Sequence, residues 1–395
     1  MAYTHQQTSP EHLNSEESRL WIDAHMESKV QSLRMKYGLK EPYFSRIAQI
    51  EVRQKKSKKF PSLIQSSWVF PTGIPLEQAS SEAAALYKAA LIHTPYVADL
   101  CAGSGIDCWA ITRREGHKEL FAVEADEALS GLLEHNLQST TVIRGLAEEA
   151  LVELDLWQTK LDVKEGNLTV YLDPDRRVSS QKTFALEDAS PNIVTLQHEL
   201  FKRAKFIITK HSPMIDLGEL HKLVGLRAVH VVQSGGENKE ILALQELGFE
   251  GKVEVVAVEL VTGENTSSIN ESFKTDYTSE VKAYIIQPGP ALAKSGLHAK
   301  LAEFYHWEKL PYGMLYTSLT PPLLNDLFKS YRVIEQANPY KLKFTVSHAA
   351  VEGIGFPEKP EIIRKRLKIK EGDKHKIFAV KSGNNKLMIL TERLA

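Results

Sequence analysis

Two stretches, residues 97–105 (VADLCAGSG) and 121–126 (FAVEAD), restrict the fold more than any other part of this chain. In the first, an apolar run ends in an acid and a loop of small residues and glycines follows. A helical segment then leads to a second apolar run, again closed by an acid. This order describes one β-α-β unit with a nucleoside held at its strand ends. Val97 to Leu100 read as a buried parallel strand, while Gly103 and Gly105 let the backbone come close to a ligand where a Cβ intrudes.

Such a loop suits either a dinucleotide pyrophosphate or the amino-acid part of S-adenosylmethionine. Asp99, just before the loop, repels a pyrophosphate but accepts hydrogen bonds from a cationic ligand such as S-adenosylmethionine. The third glycine of the dinucleotide fingerprint is absent, because Cys108 stands in its place. Glu124 lies where one carboxylate matches the two hydroxyls of a ribose, a feature that both cofactor classes share. The segment resembles motifs I and II of class I S-adenosylmethionine-dependent methyltransferases. The competing reading is a ligand-free α/β core whose glycines only turn the chain.

A chain of 395 residues is long enough for roughly two to four domains, each with its own core. With 49 basic and 50 acidic residues, no overall attraction to nucleic acid is implied, so local patches must carry any such contact. Cys101 and Cys108 are the only cysteines, which fits a reducing cytoplasm and excludes a disulfide framework or a cysteine metal cluster. No basic-then-apolar leader and no apolar run of membrane-spanning length occurs. A soluble cytoplasmic protein is expected, with no metal and no membrane partner.

Up to about residue 60 the pattern is helical, with Leu20, Trp21, Met26, Val30, Leu33 and Met35 near one face. Arg53, Lys55, Lys56, Lys58 and Lys59 then form a basic run, either a grip on phosphates or a solvated face. A Pro- and Ser-rich loop ends this first region, residues 1–75. The helix over 76–91 opens with Glu77, Gln78, Ser80, Ser81 and Glu82, placed to reach the cofactor mouth or to cap the helix. Helix 128–137 and strand 141–144 follow the anchor, and Leu146 stands where this methyltransferase class usually carries an acid near the adenine. Glu148 is the substitute, unless packing alone holds the adenine.

LTVYLDPDRR, residues 168–177, delivers Asp173 and Pro174 to the carboxyl edge of the sheet and resembles motif IV, the catalytic loop. Helix 191–203, strand 205–210, helix 217–224, strand 228–233, helix 239–247 and strand 252–261 then bring the strands from Val97 onward to seven. The polar segment 263–276 reads as a linker. A strand over 281–287, a helix over 291–306 and a strand over 313–318 suggest a small α+β module. KLKFTVS, KIFAVKS and KLMILTERL alternate as strands after it, with Arg364, Lys365, Arg366, Lys368 and Lys370 as a second basic cluster.

This arrangement resembles a family of class I methyltransferases with ferredoxin-like and THUMP-like C-terminal modules. The family carries EQ-x-SSE before motif I, here Glu77, Gln78, Ser80, Ser81 and Glu82. It also carries DP-x-RR, here Asp173, Pro174, Arg176 and Arg177, and K-x-SPM, here Lys210, Ser212, Pro213 and Met214. The resemblance implies an α/β, Rossmann-like seven-stranded sheet at 76–262, a ferredoxin-like domain at 276–326 and a THUMP-like domain at 327–395. It further implies S-adenosylmethionine as cofactor and structured RNA, tRNA or rRNA rather than DNA, as partner. Asp99, Ala102, Gly103, Ser104, Gly105, Glu124, Ala125 and Glu148 are the expected cofactor residues, and Asp173, Pro174, Arg176 and Lys210 the expected catalytic ones.

Several acceptors remain open. Covalent pyrimidine methylation needs a cysteine near motif IV, and neither cysteine lies there. Amine methylation uses an Asn/Asp-Pro-Pro-aromatic loop, of which this chain keeps only Asp173 and Pro174, with Asp175 and Arg176 following. An arginine plane still stacks on a base or pairs with phosphate, although Arg176 and Arg177 also read as ion-pair partners of Asp173 and Asp175. A tetrad of Lys88, Asp173 and Lys210 with Glu254 or Glu237 suits 2′-hydroxyl methylation. Small-molecule or protein methylation, and a non-catalytic binding protein, are the alternatives to RNA methylation.

Overall fold

A computed structural model of the chain describes residues 10–13, 15–38, 40–176, 185–269, 272–339, 344 and 346–394. The chain forms two compact units, Met1–Arg227 with Leu242–Gly251, and Ala228–Ile241 with Lys252–Ala395.

The first unit opens with α1 (Glu16–Ala24), α2 (Val30–Tyr37) and α3 (Tyr43–Lys56). Leu13, Ile22, Leu33, Ile47 and Ile50 of this region pack on Leu129 and Leu132. The expected single apolar face does not survive: Leu20 is 63% and Met35 76% exposed. The turn between α1 and α2 resets the helical phase, so a stripe drawn across it mixes two faces.

The expected helix over 76–91 is likewise two, α4 (Ile74–Gln78) and α5 (Glu82–Ala90), because Ala79 is extended and Ser81 caps α5 through Ala84 N at 3.2 Å. The alternation then runs β1 (Tyr96–Asp99), α6 (Ile106–Arg113), β2 (Glu119–Glu124), α7 (Glu127–Asn136), β3 (Thr141–Arg144), α8 (Leu151–Lys160) and β4 (Leu168–Leu172). A two-residue pair, β5 (Asp175–Arg176) with β6 (Ala189–Ser190), precedes α9 (Ile193–Leu200) and β7 (Phe206–His211). Residues 217–222 form a 3-10 helix. The hairpin β8 (Leu226–Ser234) and β9 (Glu237–Glu246) turns at Gly235 and Gly236, both at positive φ.

The expected helix over 239–247 is therefore strand β9. Its spacing suits a helix, but Ile241, Leu242 and Ala243 are consecutive and fully buried, as a strand covered on both faces requires. Strand pairing overrides the local propensity here. Within the first unit the strands lie in the order β9-β7-β4-β1-β2-β3, and β7, β4, β1, β2 and β3 are mutually parallel. Chain order reverses between β1 and β4, the switch point where open α/β sheets bind ligands. Asp99, Glu124 and Asp173 stand at the carboxyl ends around that point.

In the second unit β8 pairs in parallel with β10 (Glu254–Glu259), which pairs antiparallel with β11 (Asn265–Ile269). The expected linker thus contains a strand, with Ser268 buried despite its polar sequence. An eight-stranded sheet follows, in the order β12 (Asp276–Tyr277), β14 (Glu308–Lys309), β15 (Tyr316–Ser318), β13 (Tyr284–Pro288), β16 (Phe328–Ala337), β19 (Asn385–Arg393), β18 (His375–Ser382) and β17 (Ala350–Ile354). The pair β13–β16 joins the two expected C-terminal modules, 276–326 and 327–395, in this one sheet, while β16–β19 lies within the second. Its helices are α10 (Pro290–Ser295), α11 (His298–Tyr305) and α12 (Pro360–Leu367), the first two separated at Gly296. Most of the strand read at KLKFTVS lies outside the described residues. Among the described residues, no helix is long and apolar enough to cross a membrane.

Candidate active site

A cleft of about 620 Å³ opens at the switch point, within the range of small-molecule sites. One wall is the loop between β1 and α6. Gly103 has φ 53° and its N–H donates to Glu124 Oε2 at 2.7 Å, so the second strand's terminal acid reaches back to hold the glycine loop. Glu124 Oε1 accepts from Asp126 N at 2.8 Å. Burial raises the Glu124 carboxyl above its ordinary range, against these two N–H donors. Gly105 (φ 78°) N-caps α6, and a Cβ there meets Leu133 Cδ2 at 2.5 Å. Its glycine is required by packing and backbone, and it does not line the cleft. Ala102, Gly103, Ser104, Glu124, Ala125 and Glu148 do line it.

Asp99 does not. It is fully buried behind the loop, accepting from Cys101 N at 3.1 Å and from the Cys108 thiol at 3.1 Å. Burial pushes its carboxyl up to about 7. The expected direct contact between Asp99 and a cationic ligand is corrected by this position: the acid fixes the loop, and Cys108 occupies the third-glycine position as its hydrogen-bond donor. Burial also holds both thiols well above their ordinary range, which removes them as nucleophiles.

The carboxylate that reaches the cleft from this wall is Asp107, in the first turn of α6. Its Oδ2 accepts from Lys88 Nζ at 2.8 Å, Tyr171 Oη at 2.9 Å and Ser80 Oγ at 3.2 Å. Burial opposes its charge, yet Lys88, Lys210 and these hydrogen bonds win and hold it below the usual carboxylate range. Sequence reading missed it, because an acid in a first helical turn passes for capping. Lys88 is itself buried against Asp107, and Glu237 and Glu254 belong to the second unit. The acid beside Lys88 is thus Asp107, rather than either glutamate of the expected tetrad.

The EQ-x-SSE residues divide by role. Glu77 pairs with Lys56 at the surface, Ser81 caps α5, and buried Glu82 accepts from Ser62 N and Leu63 N at 2.9 and 2.7 Å. Gln78 and Ser80 reach the cleft. Arg53 and Lys59 of the first basic run are structural as well. Arg53 donates to Trp68 O at 3.0 Å, with burial lowering its guanidinium to about 10, and Lys59 donates to Leu76 O and Glu77 O at 3.1 and 3.0 Å.

The opposite wall is the exit of β4. Asp173 lines the cleft, one-third exposed, and pairs with Lys210 from the end of β7. Asp175, which departs from the amine-methylating loop pattern, also lines it, and burial raises its carboxyl, helped by Asp173. Pro174 follows Asp173 outside the lining. The Arg176 side chain and Arg177 lie outside the described residues. Leu146 lines the cleft beside Glu148, as its place after β3 requires.

Among the described lining residues Asp107, Glu124, Asp126, Glu148, Asp173 and Asp175 are acidic, and none is Lys, Arg or His. No group of three His, Cys, Asp or Glu among the described residues is placed to hold a metal.

No protein-family model matches the chain. No curated protein matches it either. Among solved structures, a candidate methyltransferase from Porphyromonas gingivalis W83 is similar over 98% of this chain and 99% of its own, at 25% identity and a TM-score of 0.81. The whole fold is therefore shared with that protein. The N-terminal domain of human METTL16 overlaps 50% of this chain and 81% of its own at 14% identity, with a TM-score of 0.35. Mycoplasma capricolum TrmK bound to S-adenosyl-homocysteine overlaps 42% of this chain and 68% of its own at 9% identity, with a TM-score of 0.29. At these scores the last two bear on no detail of the site.

Proposed function

We propose that this protein is a class I S-adenosylmethionine-dependent methyltransferase whose acceptor is RNA. The observation that carries the cofactor is the charge of the cleft. Its carboxylates repel the pyrophosphate of a dinucleotide and attract a sulfonium that also bears an ammonium. Glu124, fixed by Gly103 N and Asp126 N, keeps a carboxylate at the β2 exit for a ribose diol. At position 103 a Cβ meets only the Cys101 carbonyl oxygen, at 4.0 Å, and glycine keeps that backbone bare toward the cleft. Ala102, Ser104, Ala125 and Glu148 line the remainder of the cofactor surface.

When bound, S-adenosylmethionine supplies a methyl group on a cationic sulfur. Asp173 orients the acceptor and receives its proton, and Lys210 keeps that carboxylate in place. Arg176 is assigned to the acceptor side of the same loop. RNA as the acceptor is supported by the second unit, where Arg364, Lys365, Lys368 and Lys370 outnumber Glu361 and Glu371, the latter paired with Arg364, around a groove of about 400 Å³ at the end of α12. Residues 76–262 are read as the methyltransferase domain behind the 1–75 helical region, with 276–326 ferredoxin-like and 327–395 THUMP-like.

Titration calorimetry with S-adenosylmethionine and, separately, NAD tests this reading. Binding of the first and not the second is expected, weakened in Glu124→Ala. Binding of NAD alone, or of neither, overturns it.

A further inference from the structure

The Asp107 carboxylate uses its two oxygens unequally. Lys88, Tyr171 and Ser80 all converge on Oδ2, while Oδ1, equally buried, finds no hydrogen-bond partner among the described residues. An ionised oxygen shielded from water and left without a donor is costly, so such groups normally have partners. Asp107 is 8% exposed and forms part of the cleft wall, in the first turn of the helix that follows the glycine loop. Its immobilisation is thorough: the buried Lys88 also donates to Ser80 Oγ at 2.5 Å and lies 5.8 Å from the Tyr171 ring centroid.

We infer that Asp107 is a ligand-binding residue whose free oxygen receives a primary ammonium, that of the amino-acid end of the cofactor. The inference rests on the proposed cofactor and adds which residue holds which end of it. Three features favour an ammonium. None of the described lining residues is Lys, Arg or His, and Lys88 meets Asp107 at the other oxygen, Oδ2. A compact –NH3⁺ group brings several donors to one point, suiting an acceptor-only carboxylate oxygen. Lys88, Tyr171 and Ser80 all spend their donors on Oδ2, so Oδ1 keeps its acceptor capacity for a ligand. Glu124, on the next strand, is left for the sugar, so the two acids divide a nucleoside with an amino-acid tail between them.

The test uses the full chain and three ligands: S-adenosyl-homocysteine, its analogue lacking only the α-amine, and 5′-methylthioadenosine, which lacks the whole amino-acid end. With the wild-type protein, loss of the amine alone is expected to weaken binding about tenfold or more, the scale of one charge-assisted hydrogen bond. In Asp107→Asn, that difference between the first two ligands shrinks to about twofold, while 5′-methylthioadenosine binds as it does to wild type. Equal wild-type affinity for the amine-bearing and amine-free ligands overturns the assignment of Asp107 and leaves the cofactor reading standing. Failure of the wild type to bind any of the three overturns both. The wild-type arm needs no variant, so a folding defect in Asp107→Asn does not shield the inference.

Discussion

The two walls of the cleft are built from the same residue types to different degrees of constraint. On the glycine-loop side three acids are tied down: Asp99 by Cys101 and Cys108, Glu124 by Gly103 and Asp126, Asp107 by Lys88, Tyr171 and Ser80. On the β4 side Asp173 is held by Lys210, and it and Asp175 stand partly open to the cleft. A wall that meets the same ligand in every cycle is served by preorganisation, whereas a wall that admits a variable, bulky acceptor needs access. Substitutions on the first should therefore change cofactor affinity and stability, and those on the second should change turnover.

The largest expected effect is on the open wall. Asp173→Ala should lower kcat about 100-fold or more while leaving cofactor affinity within about threefold, checked by single-turnover assay and calorimetry. An equal loss of affinity erases the difference between the walls. Next, Glu124→Ala should weaken S-adenosylmethionine binding about 10- to 100-fold, as loss of a charged hydrogen-bonding group does, with turnover at saturating cofactor much less affected. Gly105→Ala should lower unfolding stability by ~2 kcal/mol or more, from its left-handed backbone and the clash with Leu133, measured by chemical denaturation.

The smallest effect concerns Asp99. Its folded carboxyl is raised to about 7, so the folded state binds this proton more tightly than the unfolded state. The contribution is complete below the unfolded value of about 4 and is lost as pH rises through about 7. Wild-type Tm should fall across that window, and Asp99→Asn should flatten the fall. An unchanged pH profile in the variant contradicts the buried, loop-fixing role.

The β-α-β unit was legible because glycine, acid and strand spacing are backbone requirements: Gly103, Glu124 and Asp173 stand at the strand ends where their motifs place them. What failed was direction and environment. Asp99 looks like a ligand in sequence and Asp107 like a cap, and only the packing of α5 against α6 shows which one faces the cleft. The basic run at 53–59 has the composition of a phosphate grip, yet Arg53 and Lys59 spend their donors on backbone carbonyls. Strand β9 was hidden because an apolar run covered on both faces has no period-two signature. Ser268 shows the reverse, a polar segment recruited to a sheet edge by pairing alone.

Transfer of labelled methyl from S-adenosylmethionine to unmodified total RNA tests the central claim most directly. Label in RNA with the wild-type protein, and at least about 100-fold less with Asp173→Ala, is the predicted result. Label found only in protein or small molecules, or none in any fraction although S-adenosylmethionine binds, contradicts it.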